Sequence, residues 1–277
     1  MAGVLAVLVV VPMLAATAPA SGAPAKFTVN GQADLLAGSA VSTAGGPGTG
    51  YQPESKLFFT GDGLAEPVRW WAVLGTSGPS PAAGVWLFEL VNHVWTPRVR
   101  LPGADPWAKA DVLFEATTLY VATRDDRATS GGNVRQSSLY ELPYSGGGAW
   151  SSVRGPFPIT TGAPENLTLA RDSANRLWVT YETGSQIKVG RTGPGGTTFT
   201  TTTLSTTNVS SEDISTVVAF GGDRIGVLWS DQRSKKDLFA WRPDSSAVTA
   251  PWTIETAYGA GVGGCAASSR ARTTRST

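Results

Sequence analysis

The sequence predicts an all-β fold: a β-propeller of four-stranded antiparallel blades, with about four blades present and an incomplete ring. Short apolar segments recur about every 50 residues from residue 51 onward, and no stretch has the period of an amphipathic helix. Turns rich in Gly and Asn separate these segments. Four strands per repeat at this period are typical of propeller blades. A pair of β-sandwich domains is the alternative, although that architecture requires no regular four-strand period.

Two independent series of motifs carry the repeat. The second strand of each unit is a near-continuous apolar run, at residues 70–74, 119–123, 177–181 and 225–229. The fourth strand begins at a large aromatic residue, at Trp95, Trp150, Phe199 and Trp252. First strands are predicted at residues 56–59, 111–114, 167–170 and 214–218, and third strands at residues 85–89, 138–141, 186–189 and 237–241. An apolar second strand indicates burial on both faces between neighbouring blades.

The connections have the composition of tight turns. Gly61-Asp62-Gly63, Ala174-Asn175 and Gly221-Gly222-Asp223 provide residues that adopt positive φ at little cost. The lone histidine, His93, falls in Val91-Asn-His-Val-Trp95 and is predicted to lie in the turn between the last two strands of the first unit. We therefore draw blades at residues 51–103, 104–159, 160–207 and 208–258.

The segments outside the repeat have other expected roles. Residues 1–25 resemble a secretory signal peptide, with a short apolar run and small residues after it, although no Lys or Arg precedes the run. A lipid-facing anchor is the alternative for this segment. Residues 26–50 are expected to be a flexible Gly/Ser/Pro-rich segment and residues 259–277 a disordered tail. The mature protein is expected to be secreted, with no membrane span after signal removal.

Composition excludes several kinds of site. The formal net charge is +1, which gives no general attraction to nucleic acid. One cysteine, Cys265, and one histidine exclude an intramolecular disulfide and zinc sites built from several Cys or His residues. No catalytic residue, no resident metal and no cofactor is predicted, and Ca²⁺ held by Asp and carbonyl oxygens remains open.

The repeat stops near residue 258. A fifth blade is expected to begin there, but residues 259–277 contain no strand-like alternation. An incomplete ring would expose apolar blade faces and a strand edge. We expect the tail to be the out-of-frame or truncated end of a longer gene, and a four-bladed ring with a disordered tail is the alternative.

Four segments carry a resemblance to known proteins, at residues 50–59, 109–114, 211–215 and 224–230. They resemble a family of secreted actinobacterial multi-blade propeller proteins of unassigned activity, and the resemblance covers residues 51–258. It implies a propeller whose blades continue past Gly264, where this sequence diverges. Separately, Asp172-Ser-Ala-Asn-Arg-Leu-Trp-Val179 is similar to a hairpin of many bacterial propellers, with Asn175 in place of Gly. That likeness concerns fold alone.

An acidic residue recurs near the start of each first strand. These residues are Glu54, Asp111, Glu165 and Asp213. Since first strands line the channel of a propeller, the four carboxylates are the predicted ligand-binding residues at one channel mouth. They would bind a cation or accept hydrogen bonds from a polyhydroxylated ligand. The alternative is structural, with each carboxylate accepting backbone N–H bonds or an ion pair.

These residues lead to two hypotheses about function. The first is an extracellular, non-catalytic binding or scaffolding module whose ligand is a glycan or a protein. The second is a glycan-active hydrolase or lyase, a sialidase-like propeller in which a pair such as Asp111 and Asp213 flanks the bond. Tyr181 beside Glu182 and scattered arginines fit a sialidase, but the Ser-x-Asp-x-Gly-x-Thr-Trp turn common in sialidase blades is absent. Four tryptophans could stack on sugar rings if they were exposed, but they are expected to be core residues: Trp86, Trp107, Trp150 and Trp252.

Overall fold

The structure is a computed structural model that describes residues 54–76, 81–124, 136–161 and 164–259. Within those ranges the chain forms seventeen β-strands in four antiparallel sheets. The described residues include no helix with the length and hydropathy of a membrane span. The predicted leader (1–25), the following segment (26–50) and the tail after Gly259 lie outside the described residues.

Each sheet is a meander whose strands pair in chain order. Sheet 1 contains β1 (Leu57–Thr60), β2 (Arg69–Thr76), β3 (Gly84–Val91) and β4 (Val94–Arg100). Sheet 2 contains β5 (Lys109–Glu115), β6 (Thr118–Arg124), β7 (Gln136–Gly146) and β8 (Ala149–Trp150), and β9 (Arg154–Thr161) also pairs with β7. A sequential four-stranded order is what a propeller blade requires.

The third and fourth sheets repeat the pattern without an extra strand. Sheet 3 contains β10 (Leu167–Arg171), β11 (Leu177–Glu182), β12 (Ile187–Arg191) and β13 (Thr200–Ser205). Sheet 4 contains β14 (Ser215–Phe220), β15 (Arg224–Asp231), β16 (Lys236–Pro243) and β17 (Thr253–Gly259). The four-strand repeat predicted from the sequence is therefore confirmed, and the additional strand β9 was not predicted.

Neighbouring sheets pack face to face in chain order. We call the face toward the preceding sheet the leading face and the face toward the following sheet the trailing face. Apolar clusters fill the three junctions, with Trp71 and Val121 in the first, Leu139 and Leu169 in the second, and Trp178 in the third. The first strands of successive sheets lie next to one another, β1 by β5, β5 by β10 and β10 by β14.

The largest fully buried side chains at these junctions are indoles. Trp71, Trp178 and Trp229 are each at most 1% exposed and lie on second strands, which agrees with the predicted burial of those strands on both faces. Burial of each such side chain stabilises the fold by about 2–3 kcal/mol. Trp71 also donates its indole N–H to the Thr60 hydroxyl at 3.0 Å.

Polar bonds between first strands accompany this packing. Amides at equivalent positions of β5, β10 and β14 each donate to the sheet before: Val112 to the Ser55 carbonyl at 3.0 Å, Leu169 to the Asp111 carboxylate at 2.7 Å, and Val217 to the Thr168 hydroxyl at 3.0 Å. We call these three bonds the sheet latches. The two side-chain acceptors, Asp111 and Thr168, are fully buried.

The predicted turns are confirmed. Asn175 has a φ of 60° between β10 and β11, and Gly221 has a φ of 62° between β14 and β15. His93 has a φ of 66° and is exposed in the turn between β3 and β4.

Candidate functional site

The four predicted site carboxylates do not occupy equivalent strand positions. Asp111 lies inside β5, whereas Glu54 lies three residues before β1, and Glu165 and Asp213 lie two residues before β10 and β14. The structure places them in two groups. The charges of Glu54 and Asp111 raise the pKa of Lys56, and those of Glu165 and Asp213 raise the pKa of Glu182.

The first group is an ion cluster between sheets 1, 2 and 3. Glu54 accepts an N–H bond from Arg124 at the end of β6, and its other oxygen lies 3.1 Å from the Lys56 ammonium. It also accepts the Leu167 amide at the start of β10 at 3.3 Å. All three charged side chains are at most 6% exposed. We call Glu54, Lys56, Asp111 and Arg124 the inner ion cluster.

Asp111 links three sheets through its carboxylate. It is fully buried, and its two oxygens accept the Ser55 amide at 2.6 Å and the Leu169 amide at 2.7 Å. The Lys56 ammonium donates to the Ala110 carbonyl. These contacts hold the carboxylate in one orientation between the first strands of sheets 1 and 3.

Charge balances within the inner ion cluster, since two carboxylates face one ammonium and one guanidinium. Burial lowers the pKa of Lys56, and the nearby carboxylates of Glu54 and Asp111 oppose that shift. A buried ion pair is costly to break, because removal of one partner leaves an uncompensated charge. The arrangement therefore favours a structural role for Glu54 and Asp111 over proton transfer to a ligand.

The second group lies at one end of sheets 3 and 4. Asp213 is fully buried and accepts the amides of Ser210 at 2.8 Å and Gln232 at 3.0 Å. Glu212, next to it, is exposed, and Glu165 is half-buried. The first strands of sheets 3 and 4, β10 and β14, run in the same direction. The Ser215 amide donates to the Asn166 side chain, and two residues later in both strands the Val217 amide donates to the Thr168 hydroxyl. The starts of both strands therefore lie at the same end.

Glu182 is the acidic residue that the sequence prediction of the site did not include. It ends β11, is 5% exposed, and accepts the Ser185 amide at 3.1 Å. Burial raises the pKa of Glu182 to about 6, and the negative charges of Glu165, Asp213 and Glu212 add to the shift. Its neighbour Tyr181 is buried at 2% exposure in the junction with sheet 2. We call Glu165, Glu182, Glu212 and Asp213 the acidic group.

The acidic group combines hydrogen-bond acceptors of different exposure. Glu212 is exposed and Glu165 is half-buried, whereas Glu182 and Asp213 are buried. Exposed carboxylates accept hydrogen bonds from ligand hydroxyls, and a carboxyl with a pKa of about 6 exchanges a proton near neutral pH. Among the described residues, no group of three or more His, Cys, Asp or Glu side chains is arranged to hold a metal ion.

Of the four tryptophans considered as sugar platforms, two pack into sheet junctions. Trp150 meets Trp71 edge to face with ring centroids 5.2 Å apart, and Trp252 meets Trp178 at 6.2 Å in the same geometry. Trp86 and Trp107 are half-buried, and the Trp86 indole donates to the Ala82 carbonyl at 2.8 Å. The expectation that these aromatic residues serve the core is therefore confirmed for Trp150 and Trp252.

Comparisons with known proteins give no family. No family profile matches the chain, and no curated protein is similar to it in sequence. One matching solved structure is a Bacteroides ovatus protein provisionally described as a hydrolase, at 13% identity and a TM-score of 0.40. That match covers 77% of this chain and 71% of the other. A likeness of this degree carries no argument about activity.

Proposed function

We propose that the chain is an exported β-propeller module that binds a hydroxyl-rich glycan at the channel end formed by the starts of the inner strands. The four sheets are its blades, and the segment at residues 1–25 is its export signal. The observation that carries the proposal is the acidic group. It combines the exposed Glu212 with the half-buried Glu165, each of which comes just before the first strand of its sheet.

The bonding of the other carboxylates supports binding rather than catalysis. Glu54, Asp111 and Asp213 are buried and already accept bonds from amides or cationic side chains. Hydrolysis by two carboxylates needs one group that gives a proton and another that reaches the substrate. Binding needs only acceptors that a ligand can reach, and the exposed Glu212 carboxylate is such an acceptor.

A glycan array with the purified chain tests the binding proposal. We expect retention of a defined set of glycans, and Glu165→Gln and Glu212→Gln should each weaken binding at least about tenfold, since each removes a charged acceptor. Asp223→Asn is the matched control, because the Asp223 side chain is 74% exposed on the turn between β14 and β15. No retained glycan, or equal loss in the control, overturns the proposal.

The second candidate is a glycan-active hydrolase or lyase, and Glu182 favours it. A carboxyl with a pKa of about 6 has the proton affinity of a general acid that works near neutral pH. Chromogenic glycosides offered to the native chain and to Glu182→Gln distinguish the two candidates. Turnover by the native chain that disappears in the variant establishes catalysis, and no turnover by either excludes these substrates.

A further inference from the structure

Three arginines meet at one end of the junction between sheets 3 and 4. Arg191 ends β12 and pairs with Trp178, which places it on the trailing face of sheet 3. Arg242 lies in β16 and pairs with Ile225, which places it on the leading face of sheet 4. Arg176 ends the turn between β10 and β11. We call Arg176, Arg191 and Arg242 the arginine group, and it lies at the end of these sheets opposite the acidic group.

All three guanidiniums donate to backbone carbonyls of one loop, at residues 244–250 between β16 and β17. Arg176 donates to the Asp244 carbonyl at 2.6 Å, and Arg191 donates to the Ser246 carbonyl at 2.8 Å. Arg242 donates to three carbonyls of the same loop at 2.7–3.2 Å. A guanidinium bonds a carboxylate or another oxyanion more strongly than a neutral carbonyl. The loop therefore occupies donors that an anion would bind more tightly.

The carboxylates at this end balance only one of the three positive charges directly. Asp172 accepts the Arg176 Nε at 2.7 Å, and Asp244 lies 3.7 Å from the same guanidinium. Within the ranges that the structure describes, no carboxylate lies within 4.0 Å of Arg191 or Arg242. Two guanidiniums thus face the same junction without a negative partner in contact.

Arg242 is the least balanced member of the arginine group. It is 3% exposed, and its buried Nε has no hydrogen-bond acceptor among the described residues. Its guanidinium carbon lies 4.2 Å from the ring centroid of Trp252 and 5.4 Å from that of Trp178, so two indoles hold the charge in place. Burial lowers the pKa of Arg242 to about 10, and the positive charges of Arg191 and Arg176 add to the shift. A buried cation in this state gains from a nearby anion.

We propose that the arginine group binds an oxyanion, a sulfate or a carboxylate, at this end of the junction between sheets 3 and 4. Arg191 is the contact residue, because it is half-buried and uses only its bond to the Ser246 carbonyl out of the five N–H groups of a guanidinium. Arg242 supplies a second positive charge from the opposite face of the junction. The planar fork of a guanidinium matches two oxygens of either anion. This site is separate from the proposed glycan site and does not rest on it.

Equilibrium dialysis with labelled sulfate at constant ionic strength tests this proposal. The native chain should bind sulfate saturably, and Arg191→Gln should weaken binding at least about tenfold, since it removes a charged fork. Arg100→Gln is the matched control, because Arg100 also donates to a loop carbonyl, that of Ala83 at 2.7 Å, but is exposed in sheet 1. Absence of saturable binding by the native chain overturns the proposal, and so does equal affinity in the native chain and Arg191→Gln.

Competition and a second variant complete the test. Displacement of labelled sulfate by glucuronate but not by glucose shows that the anion is carried on an acidic sugar, whereas displacement by unlabelled sulfate alone shows a free inorganic ion. Equal displacement by glucose contradicts recognition of charge. Arg191→Lys keeps the charge without the fork, so its affinity should lie between those of the native chain and Arg191→Gln. Circular dichroism establishes that both variants are folded, and the lysine variant alone decides the outcome if the glutamine variant is not.

Discussion

Asp111, in sheet 2, is bonded to residues of the segment before sheet 1 and of sheet 3. Its carboxylate accepts one amide from the segment before β1 and one from β10, and the ammonium of Lys56 lies nearby. An ionised carboxylate offers several acceptor sites at once, and a neutral side chain of the same size offers fewer. Asp111 therefore contributes to the stability of the fold in two ways: it accepts two charge-assisted hydrogen bonds, and it balances the charge of a buried cation.

Asp111→Asn should lower the free energy of unfolding by about 3 kcal/mol, because it removes one acceptor and leaves Lys56 with less negative charge nearby. Urea unfolding followed by tryptophan fluorescence measures the change. Asp223→Asn, at an exposed side chain, should stay within about 0.5 kcal/mol of the native value. Equal effects at the two positions would show that the buried bonds of Asp111 contribute nothing.

Glu182 should make stability depend on pH in the opposite sense to an ion-paired carboxylate. Its pKa is about 6 in the folded chain against an ordinary 4.5, so the folded state holds the proton longer and stability decreases as pH rises between these values. Glu182→Gln keeps an acceptor for the Ser185 amide and removes the titration. The free energy of unfolding of the variant, relative to that of the native chain, should increase by about 1–2 kcal/mol between pH 4.5 and pH 7.

Urea unfolding of both proteins at the two pH values measures this gain. A difference between them that is the same at pH 4.5 and pH 7 would contradict the raised pKa of Glu182.

Only part of the candidate site could be predicted from the sequence. Recurrence of an acidic residue near each first strand was visible in the sequence, but the strand register that separates Asp111 from the other three was not. Glu182 was noticed only as a neighbour of Tyr181, because no local pattern shows that a residue ending β11 lies beside the residues before β10 and β14. That proximity depends on how two sheets pack, which spacing alone does not specify.

At the scale of elements, strand prediction succeeded because each strand carries its own signal. Second strands such as residues 177–181 are apolar on both faces, and turns such as Gly221-Gly222 require residues that accept positive φ. Strand β9 was missed because Pro156 and Pro158 interrupt its pattern, and proline is read as a strand breaker. It pairs at the outer side of β7, where a strand tolerates missing donors.

Close approach of a loop to β2 gives a prediction at this scale. A Cβ on Gly75 would lie 2.3 Å from the backbone carbonyl oxygen of Pro106, which cannot move without the whole loop. Gly75→Ala should therefore destabilise the fold by about 2 kcal/mol. Gly193→Ala is the control, because nothing lies within 4 Å of its Cβ position. Thermal unfolding compares the two variants, and similar melting temperatures would contradict the tight contact.

On the scale of the whole molecule, the sheet latches should make the four sheets unfold together. Leu169 and Val217 donate their amides to a preceding sheet, so exchange of either amide requires separation of two sheets. Hydrogen exchange measured by NMR should give both amides the protection expected from global unfolding. A lower protection free energy at Val217 than at Leu169 would show instead that sheet 4 opens independently.

The carboxylate of Glu54 has a consequence for synthesis on the ribosome. It bonds the amide of Leu167, which is 113 residues later in the chain. At usual elongation rates that interval takes on the order of ten seconds, so Glu54 stays without the Leu167 amide while sheets 1 and 2 are translated. A nascent chain held in this incomplete state for so long is a natural substrate for chaperones.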